Sequence, residues 1–273
     1  MKNPYILLIL CLILFLSSPG CTPVKPPAVK PATQTASFKK FPVLEYHLIG
    51  RPEKRWQRTP ENFRRDLEWL YANDYYPFDL RDIPAGFPGL PPGKKPVVLT
   101  FDDSTIGQFN YLTNGQIDPD SAAGVLKKFH EQHPDWPRRA TFFVLIETSD
   151  PSHDLFGQPD LAGKKLRQLA EWGMEIGAHT YSHDRLDKIS AAAARRSLDR
   201  ELKTIAKFVT QEVVSLSLPE GKYPKDLKVL SRFKLIAEVA GGLNPVKFDP
   251  LHIKRIQAIS TEWQKFFNRP EKY

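Results

Sequence analysis

Short apolar runs alternate with helix-like stretches along most of the chain. The clearest run, Val97–Phe101, has the length and β-branched content of a strand that is buried on both faces. Helical spacing begins after Thr59, which can cap a helix that has Pro60 in its first turn. This alternation of strands and helices predicts a parallel α/β architecture, but it does not distinguish an open sheet from a closed barrel.

The same reasoning predicts the remaining elements. Further strands are predicted at Val43–Tyr46, Ala140–Ile146, Met174–Ala178, Val213–Leu218 and Lys234–Val239. Further helices are predicted after the capping residues Asp118 and Ser190, over Leu161–Trp172, and over Pro224–Phe233. We expect the fold to end with the segment Asp249–Ile259.

Two adjacent carboxylates, Asp102 and Asp103, follow the Val97–Phe101 strand directly. Ligands of α/β sheets and barrels bind at the carboxyl ends of the strands, which is where this pair would lie. Vicinal carboxylates repel each other unless a cation separates their roles, so one of them is a candidate metal ligand. The alternative is a structural pair that caps a helix or shapes a turn.

A second polar cluster follows the predicted Met174–Ala178 strand. His179 and His183 are four residues apart, so one helical turn would bring both imidazoles to the same side. Two histidines and one carboxylate form a common catalytic zinc set, which leaves a coordination position open for water. A histidine pair alone is more often packed or solvated, but the carboxylates at a similar strand end favour a metal site.

These two stretches resemble the first two motifs of the NodB-type polysaccharide deacetylases, carbohydrate esterase family 4. Thr100–Ser104 resembles the first motif, and His179–His183 resembles the second. Phe41–His47 resembles the opening strand of many family members, and Ala140–Val144 resembles the strand between the two motifs. The resemblance covers about residues 41–260 and implies a single domain with a distorted (β/α) barrel.

The resemblance also implies a chemistry for these residues. Asp103, His179 and His183 would bind a divalent metal ion, with zinc favoured and other divalent ions open. The ion would acidify water and polarise the carbonyl group of an N-acetyl substituent. Asp102 matches the base of the family and would accept a proton from the attacking water. Cleavage of an amide also requires a proton for the leaving amine.

The later motifs depart from the family pattern. The third motif usually has an Arg before a Pro-Tyr-Gly-like turn, whereas this chain has Ser217–Gly221 without an Arg. By its position, the backbone N–H of Glu220 could stabilise an oxyanion. His252 is a candidate general acid, with a surface or packing role as the alternative. Arg255 is a candidate replacement for the missing Arg, as a partner for Asp102.

Three further side chains leave a structural and a functional role open. Phe109 and Tyr111 come shortly after the catalytic strand end, where aromatic faces can serve either core packing or sugar binding. His47 ends the first strand, so it could contact substrate at the same mouth or pack in the core with a satisfied hydrogen bond.

Composition sets the size of the fold and the kind of partner. With 273 residues and 41% hydrophobic content, the chain can bury one large core, which favours a single deacetylase domain over residues 38–273. A formal charge of +8 and a pI near 9.3 favour an anionic polymer or surface. Because no nucleic-acid motif accompanies this charge, an acetylated wall or envelope polysaccharide is the predicted partner. The oligomeric state stays open.

The N-terminal sequence has the pattern of an exported lipoprotein. Residues 1–20 contain an apolar run, Tyr5–Leu16, which fits a signal peptide and is short for a membrane span. Cys21 resembles the lipid-modified cysteine of bacterial lipoproteins, and residues 21–37 are predicted to form a Pro-rich tether. We expect a membrane-anchored envelope protein, on the periplasmic side of the outer membrane in a Gram-negative cell. Ordinary signal cleavage and an uncleaved anchor are the alternatives.

Three functions are consistent with these observations. The leading hypothesis is a metal-dependent hydrolase that removes N-acetyl groups from an envelope or exported polysaccharide. An O-acetyl esterase could use the same site, because ester cleavage is the easier reaction. The third is a glycan-binding lipoprotein without turnover, which the missing Arg supports and the complete first two motifs oppose.

Overall fold

The structure is a computed structural model, and it describes residues 38–269. The predicted signal peptide over residues 1–20, the predicted tether over residues 21–37 and the candidate lipidation site Cys21 all lie outside the described residues. Within residues 38–269, no helix has both the length and the apolar character needed to cross a membrane.

Parallel strands form a closed barrel within residues 38–269. The strands of the described residues are β1 (Lys40–Phe41), β2 (Val43–Tyr46), β3 (Leu48–Ile49), β4 (Gln57–Arg58), β5 (Tyr75–Phe78), β6 (Lys95–Phe101), β7 (Thr141–Val144), β8 (Glu175–Ala178), β9 (Ser215–Ser217), β10 (Leu235–Gly241), β11 (Asn244–Pro245) and β12 (Ile253–Gln257). Of these, β1 pairs with β11 antiparallel and β3 pairs with β4, in two small sheets outside the barrel. The main sheet has 8 strands in the order β2-β12-β10-β9-β8-β7-β6-β5, and a further pairing of β2 with β6 closes it. Because β5 pairs only with the first half of β6, the other seven strands make the ring. The predicted (β/α) barrel in one domain is confirmed.

Helices cover the outside of the ring. They are α1 (Pro60–Ala72), α2 (Ala122–Gln132), α3 (Ala162–Glu171), α4 (Ala191–Ile205) and α5 (Ser260–Phe267). As predicted, the side chains of Thr59 and Ser190 accept backbone N–H groups at the starts of α1 and α4. These caps fix the first turn of each helix, because they satisfy donors that have no partner inside the helix.

Two helix predictions differ from the structure, and one helix was missed. Helix α2 begins after Ser121, because Asp118 uses its carboxylate to accept the Asp120 N–H and so shapes a turn instead. The predicted helix over Pro224–Phe233 is wrong, since the structure has only a short 3₁₀ helix at Leu227–Leu230. Helix α5 follows the last strand and was not predicted.

The buried side chains inside the barrel change from apolar to polar along its axis. An apolar layer is formed by buried side chains that include Val43, Val98, Phe143, Leu235 and Ile253. Nearer the carboxyl ends of the strands, the buried side chains are polar: Glu45, Thr100, Ser217 and Arg255. Gly177 lets Phe143 fill the barrel, because a Cβ there would lie 2.4 Å from the Phe143 ring. The packed layer therefore forms the floor of a polar site at the carboxyl edge.

Candidate active site

A cavity of about 430 Å³ opens at the carboxyl ends of the barrel strands. Side chains that directly follow three of the strands line it, namely His47 after β2, Asp102 and Asp103 after β6, and His179 after β8. The other lining residues are Leu48, Trp56, His183, Glu220 and Val239. The structure thus brings together the two clusters that the sequence placed at separate strand ends.

Asp103, His179 and His183 present one ligand atom each to a common point. Asp103 Oδ1 lies 3.2 Å from His179 Nε2 and 3.6 Å from His183 Nε2. Ligands at ordinary zinc bond lengths around a tetrahedral ion are separated by roughly 3.3 Å. The residues therefore fit a divalent metal ion, and two nitrogens with one carboxylate oxygen leave a position open.

A hydrogen bond fixes the imidazole of His179. Its Nδ1 lies 2.8 Å from the Ser217 carbonyl oxygen, so Nδ1–H donates and Nε2 is left facing Asp103. Such a bond on the second ring nitrogen selects the tautomer that a metal ligand needs. The ring of His179 is almost fully buried, whereas the ring of His183 is 37% exposed at the rim.

The two histidines lie on the same side of the site, but a helical turn does not bring them together as we predicted. The segment after β8 is not helical, and it forms a turn in which Thr180 and His183 have φ values of 66° and 60°. Asp103 also has a positive φ of 73°. Residues other than Gly seldom adopt this conformation, so the local backbone of the site is strained.

Asp102 is held by the guanidinium group of Arg255. Arg255 Nη1 and Nη2 donate to Asp102 Oδ1 and Oδ2, each at 2.7 Å, and the Ser217 hydroxyl donates to Oδ2 at 2.8 Å. Arg255 Nη2 also lies 2.6 Å from Glu45 Oε1. The structure therefore brings Arg255 to Asp102 from β12, in the arrangement we expected of a replacement for the missing Arg.

Burial and neighbouring charges together set the pKa values of the site. Burial alone would raise the pKa of Asp102, but the Arg255 guanidinium and His179 hold it well below its ordinary value. Burial lowers the pKa of His179, but the facing carboxylates of Asp102 and Asp103 outweigh this and raise it to about 9. Burial and the neighbouring His179 lower the pKa of His183. Asp102 is thus ionised at neutral pH.

A second group of potential ligands lies beside the first. Single ligand atoms of Glu45, His47 and Asp102 lie within 4.8 Å of one another. The carboxylates of Glu45 and Asp102 already share the positive charge of Arg255, which lies 2.6 and 2.7 Å from them. A second cation would be repelled there, so of these two groups among residues 38–269 the Asp103 group is the one that suits a metal ion.

The remaining predicted residues differ in their relation to the cavity. Glu220 lines it from a 3₁₀ turn after β9, and its carboxylate accepts a hydrogen bond from Arg185 at 3.0 Å. His252 is not among the lining residues, and its ring is 53% exposed and bonded to Glu238 and Tyr223. The structure therefore does not bring the predicted general acid His252 into the cavity, because His252 precedes β12 whereas the site lies where strands end.

The structure also decides between packing and sugar binding for the aromatic residues. Phe109 is fully buried and Tyr111 is 6% exposed, so both belong to the core. Trp56, which the sequence analysis did not single out, lines the cavity and packs on His47 with ring centroids 4.7 Å apart. His47 could have been found by the strand-end argument, but Trp56 lies in a loop and carries no sequence signal.

A comparison with protein families agrees with this geometry. The family model described as Polysaccharide deacetylase matches residues 89–235. The chain belongs to the polysaccharide deacetylase family. The matched stretch contains Asp102, Asp103 and both histidines of the turn, so the resemblance drawn from the first two motifs is confirmed. Enzymes of this family are hydrolases of acetylated polysaccharides, and they generally use a divalent metal ion.

Solved structures share the fold of this family member. The Streptococcus pyogenes deacetylase PplD in complex with acetate has 23% identity and a TM-score of 0.61, over 80% of this chain and 92% of that one. IcaB from Ammonifex degensii has 17% identity and a TM-score of 0.61, over 84% of this chain and 95% of that one. At these identities the likeness shows the fold alone.

A curated relative is similar over part of its length. The uncharacterized 30.6 kDa protein in the fumA 3' region of Geobacillus stearothermophilus is 31% identical over 141 residues. The match covers 51% of this chain and 43% of that protein. The chain therefore spans less than half of the relative that it matches.

Proposed function

We propose that this protein is a metal-dependent hydrolase that removes N-acetyl groups from an envelope or exported polysaccharide. One observation carries the proposal: Asp103, His179 and His183 converge at 3.2 and 3.6 Å beside an ionised Asp102 in an open cavity. A glycan-binding protein without turnover would have no need for an aspartate held ionised by a buried arginine next to such a group.

The residues divide the reaction between them. When bound, a divalent ion, for which we favour zinc, would supply Lewis-acid chemistry that polarises the acetyl carbonyl and acidifies water. Asp102 accepts the proton of the attacking water, and Arg255 keeps its carboxylate ionised and fixed in direction. The low pKa of Asp102 makes it a weak base, which would suffice for a water molecule that a bound ion acidifies. The backbone N–H of Glu220 is our candidate donor to the oxyanion.

We propose His47 as the group that protonates the leaving amine. It lines the cavity, and one of its ring nitrogens lies within 4.8 Å of a carboxylate oxygen of Asp102. Imidazole is the side chain best suited to hold and release a proton near neutral pH. His252 is half-exposed and lies outside the cavity lining. Of the three histidines that line the cavity, His179 and His183 belong to the proposed metal group, which leaves His47 as the proton donor.

His47→Gln is expected to separate amide cleavage from ester cleavage. Turnover of an N-acetylated sugar should fall by about 10²-fold, since an amine cannot leave without a proton. Hydrolysis of a phenyl acetate should change little, because phenolate leaves without one. Acetate release from both substrates is the measurement, and the ester serves as the control within the same variant. Equal losses on both substrates would show that His47 does not act as the proton donor.

The substrate class follows from the cavity wall and the sequence. Trp56, Leu48 and Val239 give the cavity an apolar side against which a sugar ring can pack, and aromatic faces are common platforms for sugars. The proposal of an envelope polymer and of anchoring through Cys21 rests on the sequence of residues 1–37 and on the net charge of +8.

Acetate release from a panel of acetylated glycans tests the proposal. N-acetylated oligosaccharides and O-acetylated xylan should be compared at equal acetyl concentration, with and without a chelator. We expect release from the N-acetylated sugars that the chelator stops. Release from the O-acetylated glycan alone would make the protein an acetyl esterase. Tight binding to a glycan with no acetate release would make it a binding protein.

A further inference from the structure

Helix α4 packs behind the turn that carries both histidines. Side chains of α4 accept hydrogen bonds from backbone N–H groups of this turn. Glu201 is completely buried, and its Oε1 accepts the His179 N–H at 2.6 Å. Ser197 lies one helical turn earlier on the same face of α4, and its Oγ accepts the Tyr181 N–H at 3.1 Å. The Ser197 hydroxyl also donates to the carboxylate of Asp184. Two side chains of one helix face therefore hold the turn.

This turn needs such support because its backbone is strained. Thr180 and His183 have φ values of 66° and 60°, a region that non-Gly residues adopt only when their surroundings impose it. The turn lies between β8 and α4, outside regular secondary structure, so side chains must satisfy N–H groups that neither element satisfies. Within the turn, the Thr180 hydroxyl accepts the Asp184 N–H at 2.6 Å.

The identity of Glu201 is itself informative. Its neighbours on the inner face of α4 include Leu198 and Ile205, which are buried among apolar side chains. A carboxyl group in such a position loses its hydration and destabilises the fold unless its hydrogen bonds offset the cost. A leucine would contribute more to stability, so the carboxyl group is better explained by the turn that it holds than by packing.

We propose that Glu201 is a positioning residue for the metal site, and that it sets the direction in which His179 presents Nε2 to the ion. The inference rests on the assignment of His179 and His183 as metal ligands in the proposed function. His179 is held at two points, through its N–H by Glu201 at 2.6 Å and through Nδ1 by the Ser217 carbonyl oxygen at 2.8 Å. Loss of the first contact frees the backbone that aims the ring.

Metal binding without substrate tests this role. We expect Glu201→Ala to weaken the affinity of the full chain for Zn²⁺ by about 10- to 100-fold, as usual when a partner of a metal ligand is lost. The visible absorption of bound Co²⁺ should change as well. Glu201→Gln keeps an oxygen for the His179 N–H and should recover most of the affinity. Asp199→Ala is the matched control, since it removes an exposed carboxylate of the same helix that pairs with Arg232.

The outcomes separate a positioning role from a structural one. If Glu201→Ala lowers the melting temperature of the metal-free protein but leaves Zn²⁺ affinity and the Co²⁺ spectrum unchanged, the proposal is overturned. If Glu201→Ala does not fold, Ser197→Ala decides: a several-fold loss of Zn²⁺ affinity supports the proposal, and an unchanged affinity overturns it. A wild-type protein that binds neither ion would overturn the metal site itself, and this inference with it.

Discussion

Replacing His179 or His183 with Ala is expected to remove the metal ion and abolish acetate release while the barrel still folds. Each histidine supplies one of three ligand atoms, and two remaining ligands hold a divalent ion too weakly to keep it through purification. Neither ring is part of the apolar layer that fills the barrel. Elemental analysis and circular dichroism of the purified variants measure both parts of the expectation.

His252→Ala is the matched control for these variants. It removes an imidazole that is 53% exposed and bonded to Glu238, outside the cavity lining. We expect this variant to keep a full equivalent of metal and nearly full turnover. The metal assignment would be refuted if His179→Ala and His183→Ala both retained a full equivalent of metal. A large loss of turnover in His252→Ala would make His252 a candidate general acid again.

Asp102→Asn is expected to lower turnover by about 10²- to 10⁴-fold with metal content nearly intact, because an amide cannot accept the proton of the attacking water. Asp102 is not one of the three converging ligands, so the ion should stay. The change also removes a charge from a buried pair with Arg255, which ordinarily costs about 3–5 kcal/mol. The melting temperature must therefore be measured beside turnover and metal content.

Glu220→Gln provides the matched carboxylate-to-amide change in the same cavity. The Glu220 carboxylate is bonded to Arg185 at 3.0 Å and is half-exposed, so its loss should leave turnover close to that of the wild type. We assign only its backbone N–H a role, and the substitution keeps that group. Full activity in Asp102→Asn together with a large loss in Glu220→Gln would exchange the roles of the two carboxylates.

The chemistry of the site could be predicted because its main residues directly follow strands. Val97–Phe101 reads as a buried strand from local sequence, so Asp102 and Asp103 had to lie at the edge where barrels bind ligands. The same holds for His179 after β8. No knowledge of tertiary contacts was needed, since the carboxyl ends of parallel strands meet at one rim.

Contacts that depend on strand register could not be predicted in the same way. Arg255 and His252 are three residues apart, but Arg255 points into the barrel and reaches Asp102, whereas His252 precedes the strand and faces solvent. Which of the two enters the barrel depends on how β12 pairs with β10, and that pairing has an irregular register. This pairing cannot be predicted from the local sequence.

Loops and helix contacts account for the other differences. Trp56 reaches the cavity from a loop. The Trp56 carbonyl oxygen accepts a hydrogen bond from the Leu48 N–H at 2.9 Å, which holds this loop in place. Glu201 reaches the histidine turn from the buried face of α4, which also carries the apolar Leu198 and Ile205. Each position is fixed by contacts that form only in the folded protein, so neither shows in a periodic pattern.

Metal-dependent restoration of acetate release tests the central claim most directly. The purified protein is stripped of metal with a chelator, and acetate release from an N-acetylated oligosaccharide is followed as Zn²⁺ is added back. The account predicts no release from the stripped protein and a rise that is complete at one equivalent per chain. Full acetate release by the stripped protein, or no release at any Zn²⁺ concentration from a glycan that the protein binds, would contradict it.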